Sequence, residues 1–244
     1  MKRTIESILY QSYSPDIIRI NIPNVFKRTG QIYDRIPDFL NHPKIQIKRY
    51  NEDFGPIMKI LPTFMDYQDN PNANIIFVDD DVLMLPKTIE TYVNYMNQQK
   101  DYIYCLSGFD YSLQDQWNRS FGKPTFVNIA EGYMSVCLSS AVIQKLKKSV
   151  LSMLDYYKFF SMNEFCFTSD DLMLGNFYAM NNTPIFKIHE PDVNFEIWWR
   201  HGCELSYGRD GDGIVHMAVD HHNTRYNQAF NYLVENRMNF LLTN

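Results

Sequence analysis

What this chain lacks narrows the field first. Nowhere in its 244 residues does an apolar run approach the ~20 residues that a membrane-spanning helix needs. The opening, MKRTIESILY, is basic at its start, but Glu6 follows at once and no apolar stretch of a secretory signal comes after it. The expectation is a soluble, cytoplasmic protein. Cysteine is scarce: Cys105, Cys137, Cys166 and Cys203 stand far apart with no C-x-x-C pair. That argues against a disulfide frame or a zinc site and for buried thiols in a reducing compartment. Positive charge is not in surplus either. Lys and Arg total 23 against 28 Asp and Glu, a net charge of -5, so nucleic acid, whose binding needs many phosphate-neutralising cations, is not an expected partner. No repeat, low-complexity tract or linker interrupts the chain.

What is present suits one domain with a core of its own, since at this size roughly 70% or more of the unfolded chain's surface can be buried. Apolar residues make up 45% of the chain, with 17 Tyr and 17 Phe, enough for a thick core or for a surface that stacks on sugar rings. Short Ile- and Val-rich runs alternate with longer segments of helical period, the signature of an α/β fold with a largely parallel sheet. Strands are expected at 16–22, 44–50, 74–79, 102–106, 126–130 and 185–189. Helices are expected at 86–99, where Pro86 suits a first helical position, over 139–157 as a single helix with Val142, Leu146, Val150 and Met153 on its apolar face, at 169–180, and at 223–238. Ser169, Asp170 and Asp171 are good residues for a helix start. Residues 200–223, with GRDGDG, read as a long loop.

The sharpest feature is NIIFVDDDVLML, in which Asp79, Asp80 and Asp81 follow a strand directly. Ligands of open α/β sheets bind beyond the carboxyl ends of strands. Alternate residues of an extended chain face the same way, so Asp79 and Asp81 can converge on one hard cation while Asp80 points elsewhere. The plain structural reading is an acidic solvated turn. Asp170 and Asp171 form a second acidic pair, for which helix capping competes with, and is compatible with, a general-base role. In NEDFGPIMKI, Asp53 beside the Gly55-Pro56 break can accept from a nucleobase or ribose and Lys59 can neutralise phosphate, though each is equally an ordinary surface residue.

Together these segments resemble the GT-A nucleotide-sugar glycosyltransferases, in particular the family 2-like branch of bacteria and large DNA viruses, over about three quarters of the chain. TIESILYQSYSPDIIRINIP resembles that group's opening helix and second strand, EDFGPIMK its D-x-G-P-x-x-K segment, FVDDDV its DXD motif, EGYMSV a loop bordering donor sugar and acceptor, and SDDLMLGNFYAMNNTPIFKI its E-D type motif. The resemblance departs at the start, where the family has a strand and a short Ser/Pro/Arg-type loop before the helix.

The resemblance implies a single GT-A (Rossmann-like) domain over 1–244, with a mostly parallel sheet flanked by helices. Its nucleotide-binding part would lie at about 1–106 and its acceptor and catalytic part at about 107–244. It implies a hexosyl or deoxyhexosyl transfer from a UDP- or GDP-sugar to a hydroxyl of a glycan, glycoprotein or other acceptor. Asp53, Lys59, Asp79 and Asp80 would bind nucleotide. Mn²⁺ or Mg²⁺ would be held by Asp81 and Asp79, with His216 chosen among His189, His216, His221 and His222 to complete the shell. Asp171, with Asp170 beside it, would act on the acceptor hydroxyl, and Glu131, Gly132 and Trp198 would border donor sugar and acceptor. Two other readings stand beside this one: a haloacid-dehalogenase-like Mg²⁺-dependent phosphatase, whose strand also ends in D-x-D, and a glycosyltransferase-like domain that binds nucleotide or carbohydrate without catalysis.

Overall fold

The computed structural model describes residues 1–111, 124–189 and 221–241. The chain opens with a helix, α1 (Lys2–Leu9), which lays Ile5 against Ile18 and Ile20 of β1 (Ile18–Pro23) and against Leu40. β1 runs parallel to β2 (Ile45–Tyr50) with Ile18 opposite Ile45. A 3₁₀ turn (Gly55–Lys59) leads into α2 (Leu61–Tyr67), and Pro62 sits in the first turn of that helix, where its missing N–H has no partner to lose.

The main sheet is built from β3 (Ile75–Phe77), β4 (Ile103–Cys105), β6 (Thr125–Val127), β8 (Val136–Leu138) and β9 (Ile185–Lys187), in the order β3-β8-β4-β9-β6. β5 (Gly108–Phe109) and β7 (Ile129–Ala130) form a small ribbon of their own. The expected strand at 126–130 is therefore two. Asn128 divides it: its backbone N–H donates to Asp110 Oδ1 at 3.1 Å, and its side-chain Oδ1 accepts from Tyr111 N at 2.8 Å.

Period-2 alternation sets the layers. Ile103, Cys105, Val136, Leu138 and Ile185 face the main core, while Tyr104, Cys137 and Phe186 face the other way. The second face is covered by α3 (Thr88–Gln98) through Tyr92, Tyr95 and Met96. The first is covered by α4 (Ser140–Lys147), α5 (Met153–Phe160), α6 (Glu164–Phe167), α7 (Asp170–Met180) and α8 (His221–Glu235). Residues from both halves of the sequence share this core, Phe54 and Phe64 with Leu172 and Phe230 among them. Cys105, Cys137 and Cys166 are buried free thiols. Among the described residues no helix is long and apolar enough to cross a membrane.

The fold is mixed α/β, and two further expectations are corrected. The five-stranded sheet is not mostly parallel: β4 and β9 pair parallel, whereas β8 lies antiparallel to both β3 and β4, and β6 antiparallel to β9. β8 has three residues, too few to show a period, and without it β3 and β4 read as direct neighbours. The helix expected over 139–157 is two helices. Ser152 accepts from Asp155 N and starts α5 afresh, which leaves Val150 fully exposed in the break.

One consequence of the topology concerns the site directly. Among the described residues β1 pairs only with β2, and β3 only with β8, so each has one edge without a strand partner. A cavity of about 1570 Å³ lies between them. It touches Ile18, Arg19, Ile20 and Asn21 in turn, and likewise Ile75 to Val78; since successive residues of a strand point to opposite faces, it meets both strands along their edges. Its far end is the acidic turn that follows β3.

Candidate active site

The turn after β3 is held from behind by α1. Ile75 and Phe77 are buried, and once this short strand ends, Asp79 and Asp81 are half-buried while Asp80 is exposed. The Thr4 hydroxyl donates to the Asp80 carbonyl at 2.7 Å. Gln11, buried, donates to the Leu85 carbonyl at 2.6 Å and accepts from Ile89 N at 3.0 Å. The acidic turn and the start of α3 are thereby strapped to α1 and to the residue two beyond its end. Burial raises the Asp81 pKa, and the charges of Asp79 and Asp80 raise it further.

Lys59 closes the 3₁₀ turn, whose entry is shaped by Asp53. One Asp53 oxygen accepts from Gly55 N at 2.8 Å and the other from Lys27 N at 2.7 Å, leaving second lone pairs for any ligand. Gly55 has φ +69°, and a Cβ there would stand 2.7 Å from the Phe167 ring, so both conformation and space call for glycine. The turn delivers the Lys59 ammonium to 2.7 Å from Asp79 Oδ1, 2.8 Å from Asp170 Oδ2 and 3.8 Å from Asp171 Oδ1. Burial alone would lower the Lys59 pKa, but Asp170, Asp79 and Asp171 outweigh it and hold the group well above its ordinary value.

The two acids at the start of α7 do not cap it in the expected way. Ser169 makes no side-chain cap and its hydroxyl is buried without a hydrogen-bond partner among the described residues. Asp171 reaches across to the loop after β7, where its Oδ1 accepts from Gly132 N at 3.0 Å. Burial pushes the Asp171 pKa well up, Lys59 opposes this, and Asp170 and Asp79 reinforce it. One ammonium thus stands among three carboxylates, a cluster with a formal charge of -2. Its tight packing depends on Gly132: a Cβ there would fall 2.5 Å from Lys59 Nζ and 3.1 Å from Asp171 Oδ1. Glu131, next to it, is buried and accepts from the Ser107 hydroxyl, while its N–H donates to the Ser107 carbonyl at 2.9 Å.

The structure therefore brings Lys59, Asp79, Asp170, Asp171 and Gly132 into direct contact. It places Asp53, Asp80, Asp81 and Glu131 on the wall of the same cavity. His216 and Trp198 lie outside the described residues. Three further wall residues escaped the sequence reading. Lys27, whose ammonium lies over the Phe167 ring at 4.7 Å, sits in a segment with no periodic pattern. Arg225 and Tyr226 belong to α8, where Tyr226 fits the apolar stripe and so read as core alone. Burial raises the Tyr226 pKa well above its ordinary value, helped by Asp171 and Asp170, which marks it as a neighbour of the acidic cluster.

Among the described residues no group of three or more His, Cys, Asp or Glu side chains converges as a metal cage. The donor set near the turn is the pair Asp79 and Asp81, whose mutual repulsion shows in the raised Asp81 pKa. Mg²⁺ at nucleotide sites is commonly held by one or two carboxylates together with substrate phosphates, and a pair of hard oxygen donors at a cavity wall fits that use. Chemically, the arrangement offers a buried carboxylate of raised basicity, a cation beside it and an anionic turn within one cleft. No protein-family model matches the chain, and no curated protein matches it.

Proposed function

We propose that this chain is a GT-A type glycosyltransferase that moves a sugar from a nucleoside-diphosphate donor, UDP- or GDP-linked, to a hydroxyl of a glycan or glycoprotein. The observation that carries the reading is the meeting of Lys59, Asp79, Asp170 and Asp171 at one cavity, with Gly132 N–H bonded to Asp171 behind them. These residues come from four of the five separate stretches on which the sequence resemblance rests. A cleft at strand ends with a carboxylate of raised pKa is also where acid-base chemistry is expected on physical grounds.

In this reading Asp171 accepts the proton of the acceptor hydroxyl as that oxygen bonds to the anomeric carbon. The bond from that carbon to the donor phosphate oxygen breaks, and its electron pair stays on the departing diphosphate. Burial suits Asp171 to the task, because a base works best when its pKa approaches the working pH. If transfer retains configuration, Asp171 positions the acceptor instead. Lys59 holds Asp79, Asp170 and Asp171 together. Asp79 and Asp81 would hold Mn²⁺ or Mg²⁺, which supplies electrostatic stabilisation of the departing diphosphate. Asp53 and Asp80 face the nucleoside part, and Glu131 and Gly132 border the sugar.

Thermal-shift screening of UDP, GDP and other nucleoside diphosphates, with and without Mn²⁺, tests the reading. Ligand at one hundred times its Kd should add about 2.7 kcal/mol of stability. Absence of any Mn²⁺-dependent shift with every nucleotide overturns the proposal. A mass-spectrometric panel of nucleotide sugars then identifies the donor.

A further inference from the structure

The cavity wall carries a guanidinium that the acidic cluster beside it does not bind by hydrogen bond at its Nε. Arg225 lies on α8 and lines the cavity together with Lys59, Asp170 and Asp171. Its Nε is buried and meets no hydrogen-bond partner among the described residues. Asp170, the carboxylate whose field reaches it, is engaged by Lys59 at 2.8 Å instead. Arg225 is half-buried; a guanidinium does not shed its proton in a protein, and a buried N–H left without a partner is costly. Burial accordingly draws the Arg225 pKa down, against the opposing pull of Tyr226 and Asp170. Such a group is understandable if an anion completes it.

The chemistry of the cavity narrows what that anion is. A bare monoanion close to Asp79, Asp81, Asp170 and Asp171 is repelled. A diphosphate that carries its own divalent cation is not, since the metal meets the carboxylates while free phosphate oxygens remain for a cation on the wall. A planar guanidinium fork matches two phosphate oxygens at once, which the point charge of a lysine does not.

We propose that Arg225 is the phosphate-gripping residue of this cavity: its guanidinium takes oxygens of the donor diphosphate while Asp79 and Asp81 take the divalent cation. This rests on the glycosyltransferase reading for the nucleoside and the sugar, but not for the anion. Arg225 also holds the leaving group as negative charge gathers on it, so it binds and positions, and proton transfer remains with Asp171.

Isothermal titration of the full chain tests this with magnesium pyrophosphate, with UDP and GDP in the presence of Mg²⁺, and with uridine and guanosine as phosphate-free controls. Arg225→Met should weaken pyrophosphate and the bound nucleoside diphosphate by roughly ten- to a hundredfold, and leave nucleoside binding unchanged. Arg225→Lys should recover part of the loss. Without ligand, Arg225→Met should melt no lower than wild type, because among the described residues the arginine has no partner at its Nε to lose; a purely structural arginine would show the opposite. The proposal is overturned if wild type does not bind magnesium pyrophosphate, if Arg225→Met binds it as wild type does, or if Arg225→Met melts lower while Arg225→Lys binds normally. If pyrophosphate binds through Arg225 but UDP and GDP bind no tighter, the phosphate grip stands and the donor reading falls.

Discussion

The peptide N–H of Gly132 donates to Asp171 Oδ1 at 3.0 Å, and the Lys59 ammonium stands 3.8 Å from that same oxygen. A carboxylate steadied by a peptide on one side and a cation on another keeps its orientation without being fully neutralised.

Replacing Asp171 by Asn keeps this shape and removes the base. Transfer should fall by about 10²- to 10⁴-fold, with nucleotide affinity unchanged. Stability should move the other way. The Asp171 pKa is raised by burial first and then by Asp170 and Asp79, against Lys59, so the folded protein holds that proton more tightly than the unfolded chain does. Its contribution is full below the ordinary carboxylate range, near pH 4, and is lost as pH rises through the raised pKa. The variant, which cannot ionise there, should gain on wild type as pH increases above about 4. Urea denaturation across pH checks this; a variant that loses ground with rising pH contradicts the assignment.

Lys59→Met strips three carboxylates of their shared cation. Because the lysine and Asp170 are nearly buried while Asp79 is 37% exposed, a loss of about 3 kcal/mol is expected, the lower end for a broken buried pair. The raised Lys59 pKa means its stabilisation is present below the unfolded value, near 10.4, and disappears above it. The deficit of the variant should shrink in acid, where the carboxylates protonate. Equal deficits at pH 4 and pH 8 would count against the cluster as described.

Gly132→Ala tests the closeness of the packing. The added methyl overlaps Lys59 Nζ, 2.5 Å from the ideal Cβ position, and Cε at 2.8 Å. The lysine must move, and a cost of about 1 to 3 kcal/mol is expected for such overpacking, together with a loss of turnover. Alanine tolerated with full stability and turnover would mean that Lys59 does not reside where it is seen.

For Asp81, substitution by Asn relieves repulsion within the turn, since burial and then Asp79 and Asp80 raise its pKa. The ligand-free melting temperature should not fall. The Mn²⁺-dependent stabilisation by nucleoside diphosphate should be lost, and its survival would remove Asp81 from the metal-binding pair.

How legible was all this in the sequence? Helical and strand periods placed α3, α7, α8, β1 and β2 to within a few residues, because each carries an apolar face long enough to show its period. The three-residue β8 has no such length, so the order and direction of the sheet stayed hidden. The break between α4 and α5 rests on one hydroxyl, Ser152, accepting from Asp155 N, a local bond that outweighs an otherwise continuous apolar stripe. At the site, the acidic clusters announced themselves through their density of charge. Lys59 was visible as a cation, but not as the hub of three aspartates, since that role depends on which segments meet. Arg225 was silent: one arginine beside an apolar stripe looks like any solvated residue until its surroundings are known.

The edges of β1 and β3 that have no strand partner among the described residues bear on how the chain avoids its neighbours. An edge on the rim of a sheet is a template for another molecule's strand, and proteins guard such edges against aggregation. Here both edges open into the cavity, so a strand that pairs with either must first enter the cleft that the ligand uses. Occupancy of the cleft and protection of these edges then become a single matter: whatever fills it should also slow deuterium uptake by the amides of Arg19 and Asn21, which alternate with that of Ile18, already bonded to the Lys44 carbonyl at 2.7 Å.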